Sequence, residues 1–201
     1  GARPAKLAMA DAAGRYTWAE VARAADRIAY GLQSHGVGRG TAISVQLPNW
    51  NEFVLVGLAA AKLGAVLHPI PPTYRANELR FMLNLLESRV LVIPEVFRGF
   101  SHAAMAAALR PEVPKLECVF VARGTPGEGM RPFSELTDTA WEARPGRRGL
   151  DPIGPNDVHE VIFTSGTTGE PKGVMHTSNT AMALLSPTLE RLGFSDRDVI
   201  L

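Results

Sequence analysis

Two hydrophobic periodicities alternate along this chain, and that alternation restricts the fold more than any other feature. Thr17-Trp18-Ala19-Glu20 has the spacing of a helix-opening capping box. Behind it Trp18, Val21, Ala22, Ala25, Ile28, Ala29 and Leu32 recur at helical spacing, and His35-Gly36 reads as the stop. Residues 41–47 then form a short apolar run, expected as a buried strand. A second helix is expected to be capped by Asn49 with Glu52, to run to Lys62 and to stop at Gly64. Residues 65–70 give the next strand. The cycle repeats with a helix over 77–86 (stripe Leu79, Met82, Leu83, Leu86), a strand over 90–93 stopped by Pro94, an alanine-rich helix over 99–109 and a strand over 117–121. A 3.6-residue stripe alternating with wholly apolar runs specifies an α/β fold of parallel β-α units, the doubly wound class.

Residues 123–157 break the pattern, because glycine and proline interrupt them repeatedly and leave room for one short helix near 133–141. This stretch reads as an irregular surface connection within one domain. Its basic cluster, Arg144, Arg147 and Arg148, reads as a solvated loop. The chain opens on Gly1 and closes on the apolar Val199-Ile200-Leu201, so the expectation is a piece of a longer protein.

Charge and cysteine content narrow the partners. With 21 basic and 20 acidic residues the formal charge is +1, which supplies no electrostatic reason for a nucleic-acid or acidic-membrane partner. The longest apolar run, residues 53–61, is too short to span a bilayer, which takes about 20 residues. A lone cysteine, Cys118, cannot form an internal disulfide; it suits a reducing, cytoplasmic setting and reads as a small apolar filler in a strand.

The chemistry is concentrated in Val161-Ile162-Phe163-Thr164-Ser165-Gly166-Thr167-Thr168-Gly169-Glu170-Pro171-Lys172-Gly173. An apolar run delivers the chain into a loop of hydroxyls, with glycines that expose backbone N–H groups and one lysine close by. Hydroxyls, bare amides and a cation are what a polyphosphate needs. A Walker loop, G-x-x-x-x-G-K-[ST], does not fit: counting from Gly166, Pro171 stands where its second glycine belongs, and Gly173 follows the lysine. Residues 173–176 read as a second strand instead. A hydrolase elbow, G-x-S-x-G around Ser165, fails because residue 163 is Phe163.

Thr164-Ser165-Gly166-Thr167-Thr168-Gly169-x-Pro171-Lys172-Gly173 resembles the phosphate-binding signature of the AMP-forming acyl-CoA synthetases, whose superfamily includes peptide-synthetase adenylation domains and luciferases. Tyr16-Thr17-Trp18-Ala19-Glu20-Val21, Leu47-Pro48-Asn49-Trp50-Asn51-Glu52-Phe53, residues 59–70, Thr73-Tyr74-Arg75-Ala76-Asn77-Glu78-Leu79 and Asp196-Arg197-Asp198-Val199 are similar to family segments in the family's order. Residues 123–157 have no such correspondence. The resemblance implies a two-step reaction: a carboxylate attacks the α-phosphate of Mg-ATP, giving an acyl-adenylate and pyrophosphate, and a thiol, usually coenzyme A, then displaces AMP. It implies that Thr164, Ser165, Gly166, Thr167, Thr168, Gly169, Pro171 and Lys172 hold the β- and γ-phosphates, with no nucleophile or general base among them.

The family's downstream motifs, which contact adenine, Mg2+ and ribose, and its mobile C-terminal domain have no counterpart in residues 1–201. The chain is therefore expected to be the first part of the large N-terminal AMP-binding domain and to lack adenylate synthesis alone. A loading unit of a peptide- or polyketide-synthetase assembly line and a non-catalytic truncated module are the alternatives. The similarity around residues 71–79 leans towards medium-chain, alicyclic or aromatic acids. The resemblance also sets His176 near the acyl pocket; a histidine merely packed at a strand end is the other reading. The five histidines show no metal-ligand spacing. Trp50 and Tyr74 read as core or rim packing. Met182, Leu185, Leu189 and Leu192 read as a core stripe on a helix that Pro187 should kink.

Overall fold

The computed structural model describes residues 3–164, 171–195 and 198–199. A small hairpin opens it, β1 (Leu7–Ala10) with β2 (Arg15–Thr17), and leads into α1 (Trp18–Ser34). The capping box forms as expected: the Thr17 hydroxyl accepts from the Glu20 N–H, and the Glu20 carboxylate accepts from the Thr17 N–H at 2.7 Å. There follow β3 (Ala42–Val45), α2 (Asn51–Leu63), β4 (Val66–Pro69), α3 (Ala76–Leu85) and β5 (Val90–Pro94). A second small hairpin, β6 (Val96–Phe97) with β7 (Phe100–Ser101), precedes α4 (His102–Leu109) and β8 (Cys118–Ala122). The chain continues through β9 (Arg131–Pro132), α5 (Ser134–Asp138), a 3-10 turn over Trp141–Ala143, β10 (Val158–Thr164), β11 (Lys172–Thr177) and α6 (Ser178–Leu192).

Seven strands form the central sheet in the order β11-β10-β4-β3-β5-β8-β9, all parallel except β11, which returns antiparallel along β10. Strand alternation sorts the core into two layers. Ile43, Val45, Leu67, Val90, Val92 and Phe120 pack with α1, α2 and α5; Leu91, Ile93, Val119, Val121, Val161 and Phe163 pack with α3 and α4. The α/β class of parallel β-α units is the observed fold.

Four expectations change. Asn49 does not cap α2: the helix starts later, at Asn51, and the Asp11 carboxylate from the β1–β2 turn accepts from the Asn51 N–H at 2.9 Å. The helix expected over 99–109 begins at His102, because Arg98 and Gly99, both with positive φ, make the two-residue turn of the β6–β7 hairpin. The connection over 123–157 is not wholly irregular: Arg131–Pro132 adds an edge strand beside β8. The stripe on α6 is not core. Met182, Leu185, Leu189 and Leu192 are exposed and α6 has no buried residue. That helix follows β11, the outermost strand of the sheet.

Candidate functional site

The segment singled out in the sequence is described at its two ends: Thr164 closes the parallel strand β10 at its carboxyl end, the side on which open α/β sheets bind ligands. The order of the sheet reverses two strands from β10, at β3, which has its successor β4 on one side and β5 on the other. Thr164 is the last residue of β10 and Lys172 the first of β11, and the two are cross-strand partners. The Thr164 hydroxyl donates to the Lys172 carbonyl at 3.5 Å. Pairing holds the two backbones about 5 Å apart. Both residues are exposed, Pro171 beside them is half-buried, and no ion pair neutralises the Lys172 ammonium among the described residues. Ser165, Gly166, Thr167, Thr168 and Gly169 lie outside the described residues.

Gly173 explains how the hairpin closes. It faces Phe163, and a Cβ built on it would stand 3.0 Å from Val161 Cγ1 and 3.3 Å from Phe163 Cζ. Those two side chains fold across the glycine into the core beneath α3 and α4. The rings of His68 (5.0 Å between centroids) and Phe81 (6.4 Å) pack on Phe163. The residue preceding Thr164 is thus clamped between Gly173 above and an aromatic floor below.

Beneath that floor runs a buried polar seam that sequence reading missed. Ser44, on β3, is within 2.8 Å of His68 Nδ1 and 2.7 Å of the Ser88 hydroxyl, and all three residues are fully buried. Burial pushes His68 down to about 4, so the imidazole is neutral at physiological pH. Two residues after Ser44, just past the end of β3, Gln46 donates its amide to the carbonyls of Pro71 (3.1 Å) and Tyr74 (3.0 Å). That pins its carbonyl oxygen towards His102 Nδ1 at 3.1 Å, so Nδ1 carries the proton and Nε2 presents a lone pair. Burial, with repulsion from Arg75 added, lowers His102 to about 4 as well. The available signal was the alternation in Ala42-Ile43-Ser44-Val45-Gln46, where polar residues share one face of a buried strand.

A second missed cluster lies at the same edge. Arg123, directly after β8, pairs with Asp11 and reaches both oxygens of Glu52, at 2.8 and 2.6 Å. Its guanidinium lies 4.1 Å from the Trp50 ring centroid. Burial works to raise the Asp11 carboxyl, but hydrogen bonds from the Asn51 backbone and Arg123 outweigh it and hold it below the usual range. The cluster joins the N-terminal hairpin, the start of α2 and the end of β8 around the rim of the site. Trp50 is therefore half-buried rim packing, edge-on to Phe97, and Tyr74 is half-buried, as expected. His176 sits half-buried in β11 opposite Glu160. No group of three or more His, Cys, Asp or Glu capable of holding a metal gathers among the described residues.

Known proteins resemble this chain in sequence and in fold. A family model described as AMP-binding enzyme matches residues 1–201. A medium-chain fatty-acid–CoA ligase of Escherichia coli (strain K12) is 31% identical over 204 residues, covering 100% of this chain and 35% of the ligase. A salicylyl-CoA synthase / salicylate adenylyltransferase of a Streptomyces species is 31% identical over 173 residues, covering 85% of this chain and 31% of the relative. The crystal structure of an anthranilate CoA ligase in complex with anthranoyl-AMP superposes with a TM-score of 0.78 at 24% identity, covering 91% of this chain and 34% of that one. The chain spans about a third of the length of the curated relatives it matches.

Proposed function

The chain belongs to the AMP-binding enzyme family, and on that premise we propose that it supplies the phosphate-binding part of an AMP-forming acid–thiol ligase. The reading has the chain as the first part of the large N-terminal domain, with residues 123–157 a connection inside it. The exposed stripe of α6 then packs against later parts of that domain. The substrates are ATP carried with Mg2+, a carboxylic acid, and coenzyme A as the thiol acceptor. The names of the two relatives, together with the similarity around residues 71–79, favour a medium-chain or aromatic acid. The unpaired Cys118 suits a cytoplasmic enzyme.

The observation that carries the proposal is the hairpin closed by Thr164 and Lys172 at the carboxyl edge of the parallel sheet. Lys172 places a cation, and Thr164 a hydroxyl, at the two ends of the segment 165–171, whose remaining hydroxyls and glycines complete a polyphosphate cradle. In the proposed reaction the acid's oxygen attacks the α-phosphorus, the bond to the bridging oxygen breaks, and pyrophosphate leaves with its charge held by Lys172 and the loop. The thiol sulfur then attacks the acyl carbon and AMP departs. Nothing in the cradle needs to take a proton; its work is positioning and charge stabilisation. The packing of Val161 and Phe163 against Gly173 fixes the ends of the hairpin at Thr164 and Lys172.

Lys172→Ala, in a polypeptide that joins these residues to the downstream length of their relatives, tests this directly. Removing one pre-positioned donor to a leaving phosphate should lower kcat/KM for ATP by about 10- to 100-fold, with the KM for the acid nearly unchanged. An unaltered ATP dependence would refute the assignment.

A further inference from the structure

At the opposite edge of the sheet lies a cavity of about 740 Å³, between the C-terminal turn of α1 and the connection around residues 144–151. Arg39, which lines it, pairs with Asp157 at the entrance to β10, whereas the phosphate-binding hairpin begins at the far end of that strand. Seven residues of strand put the two about 20 Å apart. The cavity is a place of its own, and its size is that of an organic ligand rather than a lone ion.

Its lining has a definite chemistry. Arg144, Arg147 and Arg148 lie within five residues of one another on the outer wall, all exposed and none in an ion pair among the described residues. Two of them are laid on aromatic rings of the inner wall. The Arg144 guanidinium is 3.8 Å from the Trp141 centroid, and that of Arg147 is 5.2 Å from the Tyr30 centroid. Stacking holds a guanidinium by its face and leaves the N–H groups on its edge free, the geometry that takes an oxyanion two bonds at a time. Asp151, the carboxylate of the lining, is already engaged by Arg39 through both its oxygens, at 2.7 Å each. Trp141 is itself fixed, since its Nε1 donates to the Glu135 carbonyl at 2.7 Å. The aromatic supports are rigid, and the cations they carry make no ion pair among the described residues; Glu142, whose carboxyl Arg147 helps to lower, has both its oxygens engaged by Arg27.

We propose that this cavity is a second binding site, for an organic polyanion bearing phosphoryl groups and about the size of a nucleotide. Three unpaired guanidiniums match a ligand with at least two negative charges, and the apolar wall of Tyr30, Val37 and Leu63 accommodates its organic part. The base or ring of the ligand is not selected by stacking, because the faces of Trp141 and Tyr30 are taken by arginine. The site therefore reads charge and size and is distinct from the catalytic use of ATP.

Calorimetric titration with adenosine 3′,5′-bisphosphate, pyrophosphate, citrate and uncharged adenosine tests it, at low and at physiological salt. The bisphosphate should bind to the Lys172→Ala protein as it does to the unaltered one, weaken with salt, and lose at least tenfold in affinity on Arg144→Gln/Arg147→Gln/Arg148→Gln. Citrate binding as tightly would overturn the phosphoryl class in favour of any polyanion, and adenosine binding as tightly would overturn the reading of charge. Because α1 has no basic residue in its last turn, the arginines have another conceivable task, offsetting the helix dipole. A triple variant that melts earlier while no probe binds the unaltered protein assigns them that task and refutes the site. Arg148→Gln alone, at an exposed and unpaired position, guards against misfolding and should still cost about threefold in affinity.

Discussion

Acid should loosen this fold while most carboxylates are still ionised, and His68 is the residue to examine. In the folded protein His68 is fully buried and titrates at about 4, against 6.5 for a free imidazole. Above pH 6.5 both folded and unfolded chains carry it neutral and its contribution to stability is complete. As the pH falls towards 4 only the unfolded chain takes up the proton, so stability is lost over that window and levels off below it. The full gap corresponds to about 3 kcal/mol, and between pH 7.5 and 5.0 about 2 kcal/mol of it is removed. Urea unfolding at those two pH values measures the loss directly. His68→Gln keeps a hydrogen-bonding group near Ser44 and has no titrating ring, so it should start less stable and lose about 2 kcal/mol less on acidification. His102, lowered for the same reason, adds to the slope in both proteins and cancels in the comparison. An identical pH slope with and without the imidazole would refute the buried, neutral assignment.

Three further substitutions probe the rest of the framework. Gly173→Val drives a branched side chain into Val161 and Phe163; it should cost about 1–3 kcal/mol in thermal unfolding and raise the KM for ATP. Arg123→Met leaves Asp11 and Glu52 facing each other, both more than four-fifths buried, and after allowance for their residual solvent contact should destabilise by about 1–3 kcal/mol. In the same variant the Asp11 carboxyl, followed by NMR, should titrate higher. Gly64→Ala strains a left-handed C-cap (φ +64) and sets a Cβ 2.8 Å from the Asp151 carbonyl; a loss of about 1–2 kcal/mol is expected, with ATP kinetics unchanged because the cap lies at the far edge of the sheet.

The alternation of stripes and apolar runs was enough to read the parallel α/β core, since each helix buries one face and each central strand both. Boundaries were less legible where the partner is remote. The cap of α2 comes from Asp11, forty residues upstream, so local pattern pointed to Asn49 instead. Arg98-Gly99 is a turn signal, but the alanines behind it suggested an uninterrupted helix. The α6 stripe has the periodicity of a core helix, and periodicity records which face is apolar without recording whether an inner layer is there. For the site, hydroxyl, glycine and lysine spacing singled out Thr164, Pro171 and Lys172, and the structure sets Thr164 and Lys172 opposite each other on paired strands; their part in phosphate binding is the proposal made above. The seam of Ser44, His68, Ser88, Gln46 and His102 and the cluster around Arg123 could not. Their members are distant in sequence, and only the sheet order brings them together.

The central claim is that the Thr164–Lys172 hairpin serves acid-dependent adenylate formation. Its most direct test is ATP–pyrophosphate exchange catalysed by a polypeptide that joins these 201 residues to the downstream length their relatives possess, over a panel of medium-chain and aromatic acids. The account predicts exchange that requires an acid and falls by at least tenfold on Lys172→Ala. A folded protein that neither binds Mg-ATP nor exchanges pyrophosphate with any acid of the panel would contradict it.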